Sequence, residues 1–200
     1  MKKPYNRNYN RFYGTPMWSF IKQQLPGEIK VAVEIGTYRG HWARGALDNL
    51  NIGKLFCVDN GKKGDWVVAR KLWIERLGED ALTRAFLLMG KSEQWGQVFP
   101  FEIDLLYVDG GHKWKNIYDD LRLWVPRVKG GGLIIGHDAH EKEVQRGLKK
   151  YISDVEKVKY KVNRIGPIGK PRITSFWWKK EINAEKTEPN NDSGDTPEHS

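Results

Sequence analysis

Two places in the sequence pair an aspartate with a histidine directly after a run of apolar residues. Asp109 and His112 follow one such run, and His137 and Asp138 follow the next one. If the two runs are neighbouring parallel strands, their carboxyl ends lie at the same edge of a sheet. The four side chains could then surround one atom of a substrate.

These residue types allow two kinds of chemistry at a substrate hydroxyl. Carboxylates can bind a hard divalent cation, which lowers the pKa of a coordinated hydroxyl and fixes its oxygen. A neutral imidazole can instead accept the hydroxyl proton as a general base. We take His112 as the first candidate for that base and His137 as the second, with Asp109 as the third catalytic candidate. His140 is predicted to be a loop residue without a catalytic role.

A second segment, residues 31–40 with the sequence VAVEIGTYRG, could hold a nucleotide-like cofactor. An apolar strand there leads into a glycine turn and a helix, as in doubly wound α/β domains. The pattern is E-x-G-x-x-x-G, formed by Glu34, Gly36 and Gly40, and it lacks the glycines of a dinucleotide fingerprint. A carboxylate would repel a pyrophosphate and attract a cation, which disfavours NAD and favours S-adenosylmethionine. The alternative, a glycine turn with a structural role only, stays open.

The glycines and the next strand ends extend this hypothesis. Gly36 is expected to let a ligand approach the backbone, and Gly40 to let the following helix pack on the strand. Asp59 ends the next strand, 23 residues after Gly36, near the spacing at which an acid binds ribose hydroxyls. Ser92 follows a third strand, where it could cap the helix that starts with Glu93.

Three stretches together resemble a known family. VEIGTYRG, then LFCVD, then DLLYVDGGHKWKNIYDDLRLWVPRVKGGGLIIGHD are similar to class I S-adenosylmethionine-dependent methyltransferases, in the small branch of catechol and macrolide or sugar O-methyltransferases with a D-G-x-H turn. The resemblance covers about Val31 to Trp178. It implies an α/β Rossmann-like fold, with a doubly wound, mostly parallel seven-stranded sheet and an antiparallel C-terminal hairpin strand. It also implies a cofactor site at Glu34, Gly36, Thr37, Gly40, Asp59, Ser92 and Asp109, in which Ser92 would contact the adenine base if it does not only cap the helix.

The resemblance bears on the metal as well. Relatives that need a metal bind Mg²⁺ through acids or amides at these two strand ends, and Asp109 and Asp138 match two of those positions. His137 stands where an oxygen ligand is expected. Because imidazole suits Mn²⁺, Fe²⁺ or Zn²⁺ better than Mg²⁺, the predicted metal set of Asp109, His137 and Asp138 leaves the ion open between Mg²⁺ and Mn²⁺.

The elements around these motifs predict one domain. Strand-like and helix-like segments alternate from a helix at residues 15–24 to a closing hairpin at 157–165 and 173–178. The strand before His137 is predicted at Leu133–Ile135, after a turn at the glycines of 130–132. We therefore expect a basic, aromatic arm at residues 1–14, a methyltransferase domain at 15–182 and a disordered acidic and polar tail at 183–200.

Charge, apolar content and cysteine content restrict the partners. The net charge is +9 even though six acids lie after Lys180, so an anionic partner such as nucleic acid is an alternative. The sequence has neither a membrane-spanning run nor the apolar core of a signal peptide, which predicts a cytoplasmic protein without a membrane partner. The single cysteine, Cys57, excludes a disulfide scaffold. Trp177 and Trp178 are candidates for an interface in a homo-oligomer.

The leading functional hypothesis is methylation of a hydroxyl oxygen on a small or saccharide-like substrate. A nucleic-acid methyltransferase is the nearest alternative, but the turn at residues 109–112 reads DGGH and differs from the Asn-Pro-Pro-Tyr turn used on exocyclic amines. A non-catalytic module that only binds S-adenosylmethionine is the alternative from another class.

Overall fold

The structure is a computed structural model that describes residues 15–61, 66–157, 159, 161–163 and 174–182. The predicted arm at 1–14, the turn of the closing hairpin and the predicted tail at 183–200 lie outside these residues. The predicted domain limits therefore stay predictions.

Helices and strands alternate through the described part of the chain. The strands are β1 (Ile29–Ile35), β2 (Ile52–Asp59), β3 (Ala85–Met89), β4 (Ile103–Val108), β5 (Val128–Gly136), β6 (Lys161–Asn163) and β7 (Ser175–Lys179). The helices are α1 (Thr15–Gln24), α2 (His41–Asn49), α3 (Trp66–Leu77), α4 (Asp80–Thr83), α5 (Ser92–Val98), α6 (Trp114–Trp124) and α7 (Lys142–Tyr151). A 3-10 turn, Val125–Arg127, precedes β5, and a π-helical turn, Ile152–Glu156, follows α7.

The strands form one sheet in the order β3-β2-β1-β4-β5-β7-β6. The first five strands in this order run parallel, β7 is antiparallel to β5, and β6 is antiparallel to β7. The order reverses direction between β1 and β4, and ligands of doubly wound sheets bind at such a point. The predicted α/β, Rossmann-like fold with an antiparallel C-terminal hairpin is confirmed.

Alternating strand residues build a core on each face of the sheet. In β4, Leu105 and Tyr107 face a core formed with α1, α2 and α3, where the Tyr107 ring stacks on Trp42 at 4.3 Å between centroids. Leu106 and Val108 face the other core, formed with α5, α6 and α7. Because β4 is buried on both faces, it is apolar at every position but Asp104, as expected for a central parallel strand.

Two local expectations are wrong. The glycines of 130–132 lie inside β5, which begins at Val128, because the backbone around Gly131 and Gly132 pairs with Lys180 after β7. Trp177 and Trp178 are 9% and 3% exposed, so they belong to the core and offer no surface for an interface. Side chains on both faces of β7 are covered, a burial that its short sequence does not reveal.

In the described part of the chain, no helix is both long and apolar enough to cross a bilayer.

The packing of α7 on α6 gives a stability prediction. A Cβ at Gly147 would lie 2.4 Å from the Trp114 carbonyl oxygen and 2.8 Å from the Ile117 Cβ. Replacing a helical glycine by alanine ordinarily stabilises the helix, but here the clash dominates, and we expect Gly147→Ala to lower the free energy of unfolding by about 1–3 kcal/mol. Urea unfolding measures this change in the free energy of unfolding. Lys149→Ala, on the exposed face of α7, is the control and should change stability by less than about 0.5 kcal/mol. A Gly147→Ala protein as stable as wild type would contradict this packing.

Candidate functional site

A cavity of about 570 Å³ opens at the carboxyl edge of the sheet. Its walls come from the ends of β1, β2, β4 and β5, from the start of α5 and from the inner face of α6. The volume lies in the range of small-molecule and cofactor sites, which is about 300–1,000 Å³. Backbone hydrogen bonds hold the strand ends together: the Asp109 amide donates to Ile35, and the His137 amide donates to Val108.

The turn after β1 is fixed by close packing of two strand ends. Gly36 has a φ of +89°, and a Cβ there would lie 2.1 Å from the carbonyl oxygen of Asp109. The close approach of β4 therefore requires a glycine at this position, whether or not a ligand binds. Gly40 has a φ of +71°, and a Cβ there would meet Trp73 of α3 at 2.6 Å. The space that Gly40 leaves is thus filled by α3, while α2 packs on the sheet through Trp42, Ala43 and Ala46.

Glu34 is buried at 2% exposure and lines the cavity. Burial raises its pKa to about 8, a hydrogen bond with Thr37 opposes the shift, and the charges of Asp109 and Asp59 add to it. Its Oε2 has no hydrogen-bond partner among the described residues. The carboxyl is therefore largely protonated at neutral pH, so the expectation of a standing negative charge is wrong. A cation in the cavity would favour its ionised form.

Asp59 joins the two loops beside the glycine turn. Its Oδ2 accepts a 2.7 Å hydrogen bond from the Tyr38 amide, and its Oδ1 accepts one of 2.7 Å from the Gly61 amide. A carboxylate offers about four lone-pair sites, so both oxygens can still accept a hydrogen bond from a hydroxyl group. Thr37 is buried next to this loop, and its hydroxyl accepts a hydrogen bond from Trp73 at 3.2 Å.

Ser92 is the first residue of α5, so it does not precede the helix as a cap would. Its hydroxyl donates to Asp120 Oδ1 at 2.5 Å and accepts a hydrogen bond from Trp124 Nε1 at 2.9 Å. Asp120 was missed by the sequence analysis. Burial raises its pKa to about 7, the Ser92 hydrogen bond opposes this, and the charges of Glu93 and Asp119 add to it. An acid three residues after the buried Ile117, on the apolar face of a helix, was the available signal.

The four predicted side chains at the ends of β4 and β5 meet at one side of the cavity. His137 Nδ1 lies 3.0 Å from Asp138 Oδ1 and 3.7 Å from Asp109 Oδ1. His112 Nε2 lies 3.2 Å from Asp138 Oδ2. Asp138 is at the centre of this cluster and has a left-handed backbone with a φ of +53°. Such a conformation is uncommon outside glycine and often marks a functional turn.

Glu141 adds a contact that the sequence analysis missed. Its Oε2 lies 3.1 Å from His112 Nδ1, so the imidazole is held between two carboxylates, those of Asp138 and Glu141. His140 lies farther out, 3.9 Å from Asp138 and 3.4 Å from the Thr174 hydroxyl. Glu141 reaches the cluster because the chain turns sharply after Asp138, and nothing in its spacing from His112 predicts that contact.

The contacts of His137 and Asp138 shift their pKa values in opposite directions. Burial lowers the pKa of His137, but the hydrogen bond with Asp138 and the charges of Asp109, Asp138 and Glu141 outweigh it and raise the pKa above the ordinary value. Burial raises the pKa of Asp138, but the hydrogen bond and charge of His137 outweigh it and lower the pKa. The raised pKa means that a smaller fraction of His137 is neutral at a given pH than of a free imidazole, and only the neutral form can accept a proton.

Among the residues that the structure describes, two groups of three side chains could hold a metal ion. One is the predicted set of Asp109, His137 and Asp138, and the other combines His112, Asp138 and Glu141. Within each group the ligand atoms lie within 4.8 Å of one another. Two carboxylates with one imidazole fit Mn²⁺, Fe²⁺ or Zn²⁺ better than an all-oxygen magnesium site. Asp138 belongs to both groups, so any ion bound here would involve it.

A comparison with known protein families matches the part of the chain that contains most of this site. A family model described as a methyltransferase domain matches residues 33–139, which contain the glycine turn, β4 and the end of β5. Among curated proteins, no sequence matches the chain.

Solved structures share the fold at low sequence identity. An rRNA methylase from Streptococcus thermophilus has a TM-score of 0.63 at 13% identity, covering 82% of this chain and 93% of that one. A protein proposed to be an O-methyltransferase, from Klebsiella pneumoniae, has a TM-score of 0.62 at 16% identity, covering 90% and 83%. A proposed methyltransferase from Streptococcus mutans, in complex with SAH, has a TM-score of 0.61 at 12% identity, covering 80% and 93%. At these identities the likeness concerns the fold alone.

The burial of Glu34 predicts a pH dependence of stability. The folded protein keeps the Glu34 proton up to a pKa of about 8, whereas the unfolded chain loses it near 4.5, the ordinary pKa of a glutamate. Raising the pH across this range therefore favours the unfolded chain, and above it the effect levels off. We expect the stability of wild type relative to Glu34→Gln to fall between these two pH values. Urea unfolding at a series of pH values measures the difference, with the exposed Glu28→Gln as control. A constant difference between wild type and Glu34→Gln would contradict a protonated Glu34.

Proposed function

The chain belongs to the family of methyltransferase domains, and we propose that it transfers the methyl group of S-adenosylmethionine to a hydroxyl oxygen of a small or saccharide-like substrate. The observation that carries the proposal is the cavity, which joins the glycine turn at one end to the Asp and His cluster at the other. A cofactor held by the turn would have its reactive end beside groups that can orient a hydroxyl and accept its proton.

The charge of the cavity supports this cofactor. The protein has a net charge of +9, yet six acids among the described residues line the cavity, namely Glu34, Asp59, Glu93, Asp109, Asp120 and Asp138. The ionised members of this set, which include Asp138 with its lowered pKa, disfavour a pyrophosphate and favour a ligand with positive groups. When bound, S-adenosylmethionine supplies an electrophilic methyl group on a positively charged sulfur. The likeness to a neighbour in complex with SAH is consistent with this choice.

Individual residues fit parts of the cofactor. Glu34 has a buried oxygen without a hydrogen-bond partner among the described residues, and it would accept a hydrogen bond from the cofactor's ammonium group. The remaining lone pairs of the Asp59 carboxylate would accept hydrogen bonds from the ribose hydroxyls. Because Gly36 has no side chain, its backbone fits between the two strand ends, and Thr37 is the next residue of the turn.

At the other end, His112 is the proposed general base. Asp138 and Glu141 hold its two ring nitrogens from opposite sides, which limits rotation of the ring. To accept the proton of the substrate hydroxyl, one ring nitrogen would exchange its carboxylate for that hydroxyl, and the carboxylate on the other nitrogen would stabilise the resulting imidazolium. Asp109 and His137 would orient the hydroxyl or keep water out of the same space.

A divalent ion would act on the same hydroxyl. Asp138, with either Asp109 and His137 or His112 and Glu141, would hold it. Such an ion lowers the pKa of a bound hydroxyl and fixes its oxygen. The presence of imidazoles in both groups leads us to propose Mn²⁺ ahead of Mg²⁺.

A second candidate function is methylation of nucleic acid. The net charge of +9 favours it, because a basic surface attracts phosphates. The fold likeness to an rRNA methylase agrees with this alternative, but likeness at 13% identity does not carry it. Binding to RNA that weakens steeply as salt increases would support it.

Cofactor binding tests the first half of the proposal. We expect Asp59→Ala to weaken binding of S-adenosylhomocysteine by about tenfold to a hundredfold, because it removes hydrogen bonds to a charged acceptor. Isothermal titration calorimetry measures the affinity, and thermal unfolding verifies that the variant folds. Asp48→Ala is the matched control, since Asp48 pairs with Arg44 on α2 and does not line the cavity. Equal affinities of wild type and Asp59→Ala would contradict the assigned ribose site.

Methyl transfer tests the second half. Incubation with S-adenosylmethionine, a panel of catechols and sugars, and either Mn²⁺ or a chelator should yield an O-methylated product by mass spectrometry. We expect His112→Ala to lower its rate by about a hundredfold to ten thousandfold, while cofactor affinity stays unchanged. His140→Ala, outside the close contacts of the cluster, should keep most of the rate. Methylation of RNA alone, with none of the hydroxyl compounds modified, would favour the second candidate function.

A further inference from the structure

Basic side chains lie in the loops at the carboxyl edge of the sheet, where the cavity opens. Four loops that follow parallel strands each contribute one, namely Arg39 after β1, Lys91 after β3, Lys113 after β4 and Lys142 after β5. The three lysines are exposed, and Arg39 is half-buried. Within the described part of the chain, none of these four mouth cations pairs with a carboxylate, although other lysines do, for example Lys115 with Asp119. Acids therefore line the cavity, while cations lie at its mouth.

Two of the mouth cations lie beside the Asp and His cluster. Lys113 follows His112 and is the N-cap residue of α6, and Lys142 follows Glu141 and is the first residue of α7. The start of a helix carries the positive end of its dipole, so a lysine at this position is unfavourable for the helix. Helix stability therefore does not explain these two lysines. An anionic partner at the mouth would offset their cost.

The spread of the mouth cations indicates the size of that partner. The order of the sheet places β3 and β5 four strand spacings apart, and one spacing is about 4.8 Å. Lys91 and Lys142 therefore follow strand ends that lie roughly 19 Å from each other. A single phosphate group reaches one loop or two adjacent loops, whereas a chain of phosphates reaches all of them.

An aromatic side chain beside Lys113 favours a nucleic acid among such chains. The Trp114 ring is half-buried, and the guanidinium carbon of Arg146 lies 4.8 Å from its centroid. The Arg146 side chain is 63% exposed. Single-stranded nucleic acids stack their bases on aromatic rings and guanidinium planes of this kind, while lysines bind their phosphates. A polyanion without bases would leave this pair unused.

We propose that a single strand of RNA binds across the mouth of the cavity and that a ribose 2′-hydroxyl of this strand is the methyl acceptor. The 2′-hydroxyl is the sugar hydroxyl that RNA has and DNA lacks. The strand passes Lys113 and Lys142, which places one ribose beside His112 and Asp138. The inference rests on the proposed transfer to a hydroxyl oxygen, and it names the class of acceptor.

The transfer to ribose uses groups that the proposed function already contains. The ribose O2′ forms a bond to the methyl carbon of S-adenosylmethionine, and the bond from sulfur to that carbon breaks with its electron pair left on sulfur, which gives S-adenosylhomocysteine. His112 accepts the proton of the 2′-hydroxyl. Lys113 and Lys142 take no part in these bond changes, because they hold the phosphates on either side of the reacting ribose.

RNA binding tests the surface. Fluorescence anisotropy with a labelled single-stranded RNA of about twelve nucleotides gives the affinity at a series of salt concentrations. Each phosphate contact to a single strand contributes about 0.7 to the slope of log affinity against log salt. The double variant Lys113→Ala, Lys142→Ala should therefore lower the slope by about 1.4 and weaken binding by about twenty-fivefold at about 0.1 M salt.

A second double variant is the matched control. Lys30→Ala, Lys54→Ala removes the same charge at the opposite edge of the sheet, near the amino ends of β1 and β2, where both lysines are exposed. It should keep most of the wild-type affinity and slope. Thermal unfolding verifies that both double variants fold. Neither Lys113 nor Lys142 lines the cavity, so calorimetry with S-adenosylhomocysteine should give the wild-type affinity for their double variant.

The position of the methyl group tests the acceptor. The same RNA is incubated with S-adenosylmethionine and wild-type protein, digested to nucleosides and analysed by mass spectrometry. We expect a 2′-O-methyl nucleoside from RNA and no methylated product from DNA of the same sequence. The double variant Lys113→Ala, Lys142→Ala should yield less of this nucleoside when RNA is limiting, because it binds RNA more weakly.

The outcomes separate this inference from the proposed function. An equal loss of RNA affinity in both double variants would mean that net charge alone attracts RNA, and it would overturn the surface. A methyl group on a base, or on DNA, would overturn the ribose acceptor. Methylation of a free sugar or a catechol, with RNA neither bound nor methylated, would keep the proposed function and overturn this inference. If wild type does not bind S-adenosylhomocysteine, the proposed function fails and the ribose acceptor fails with it.

Discussion

The contact between the ends of β1 and β4 is the constraint on which the site depends. Gly36 lies so close to Asp109 that a Cβ on Gly36 would be 2.1 Å from the Asp109 carbonyl oxygen. This approach places the glycine turn against the strand end that begins the Asp and His cluster. The proposed cofactor loop and the proposed acceptor groups are therefore parts of one backbone junction, and a shift of either strand would move both. Because the sheet is buried on both faces, such a shift would also disturb two cores.

The second physical feature is the difference in pKa among the acids that line the cavity. Burial raises the pKa of Glu34 to about 8 and that of Asp120 to about 7, whereas the pKa of Asp138 is lowered by its contact with His137. Acids in one cavity are thus kept in different protonation states by their surroundings. This division limits repulsion among the acids, because Glu34 and Asp120 keep their protons to higher pH than Asp138 does. A ligand with positive groups would complete the charge balance.

The sequence predicts the strands and the placement of Asp109, His112, His137 and Asp138 well, because the carboxyl ends of parallel strands must share an edge. It does not predict Glu141, which reaches His112 through a left-handed turn at Asp138. The sequence also does not predict which helix residues Gly40 and Ser92 contact, since these residues are distant in sequence. The protonation of Glu34 depends on burial from all sides, which no local pattern contains. The sequence therefore predicts which residues lie near the ends of the strands, whereas the contacts of these residues depend on how the helices pack.

A crystal structure with S-adenosylhomocysteine tests the central claim most directly. The account predicts that the ribose hydroxyls contact Asp59, the amino-acid end lies by Glu34 and Gly36, and the sulfur faces the cluster of His112 and Asp138. A ligand bound outside this cavity, or in it with its sulfur directed toward α5, would contradict the account. The same map would show whether an ion lies beside Asp138.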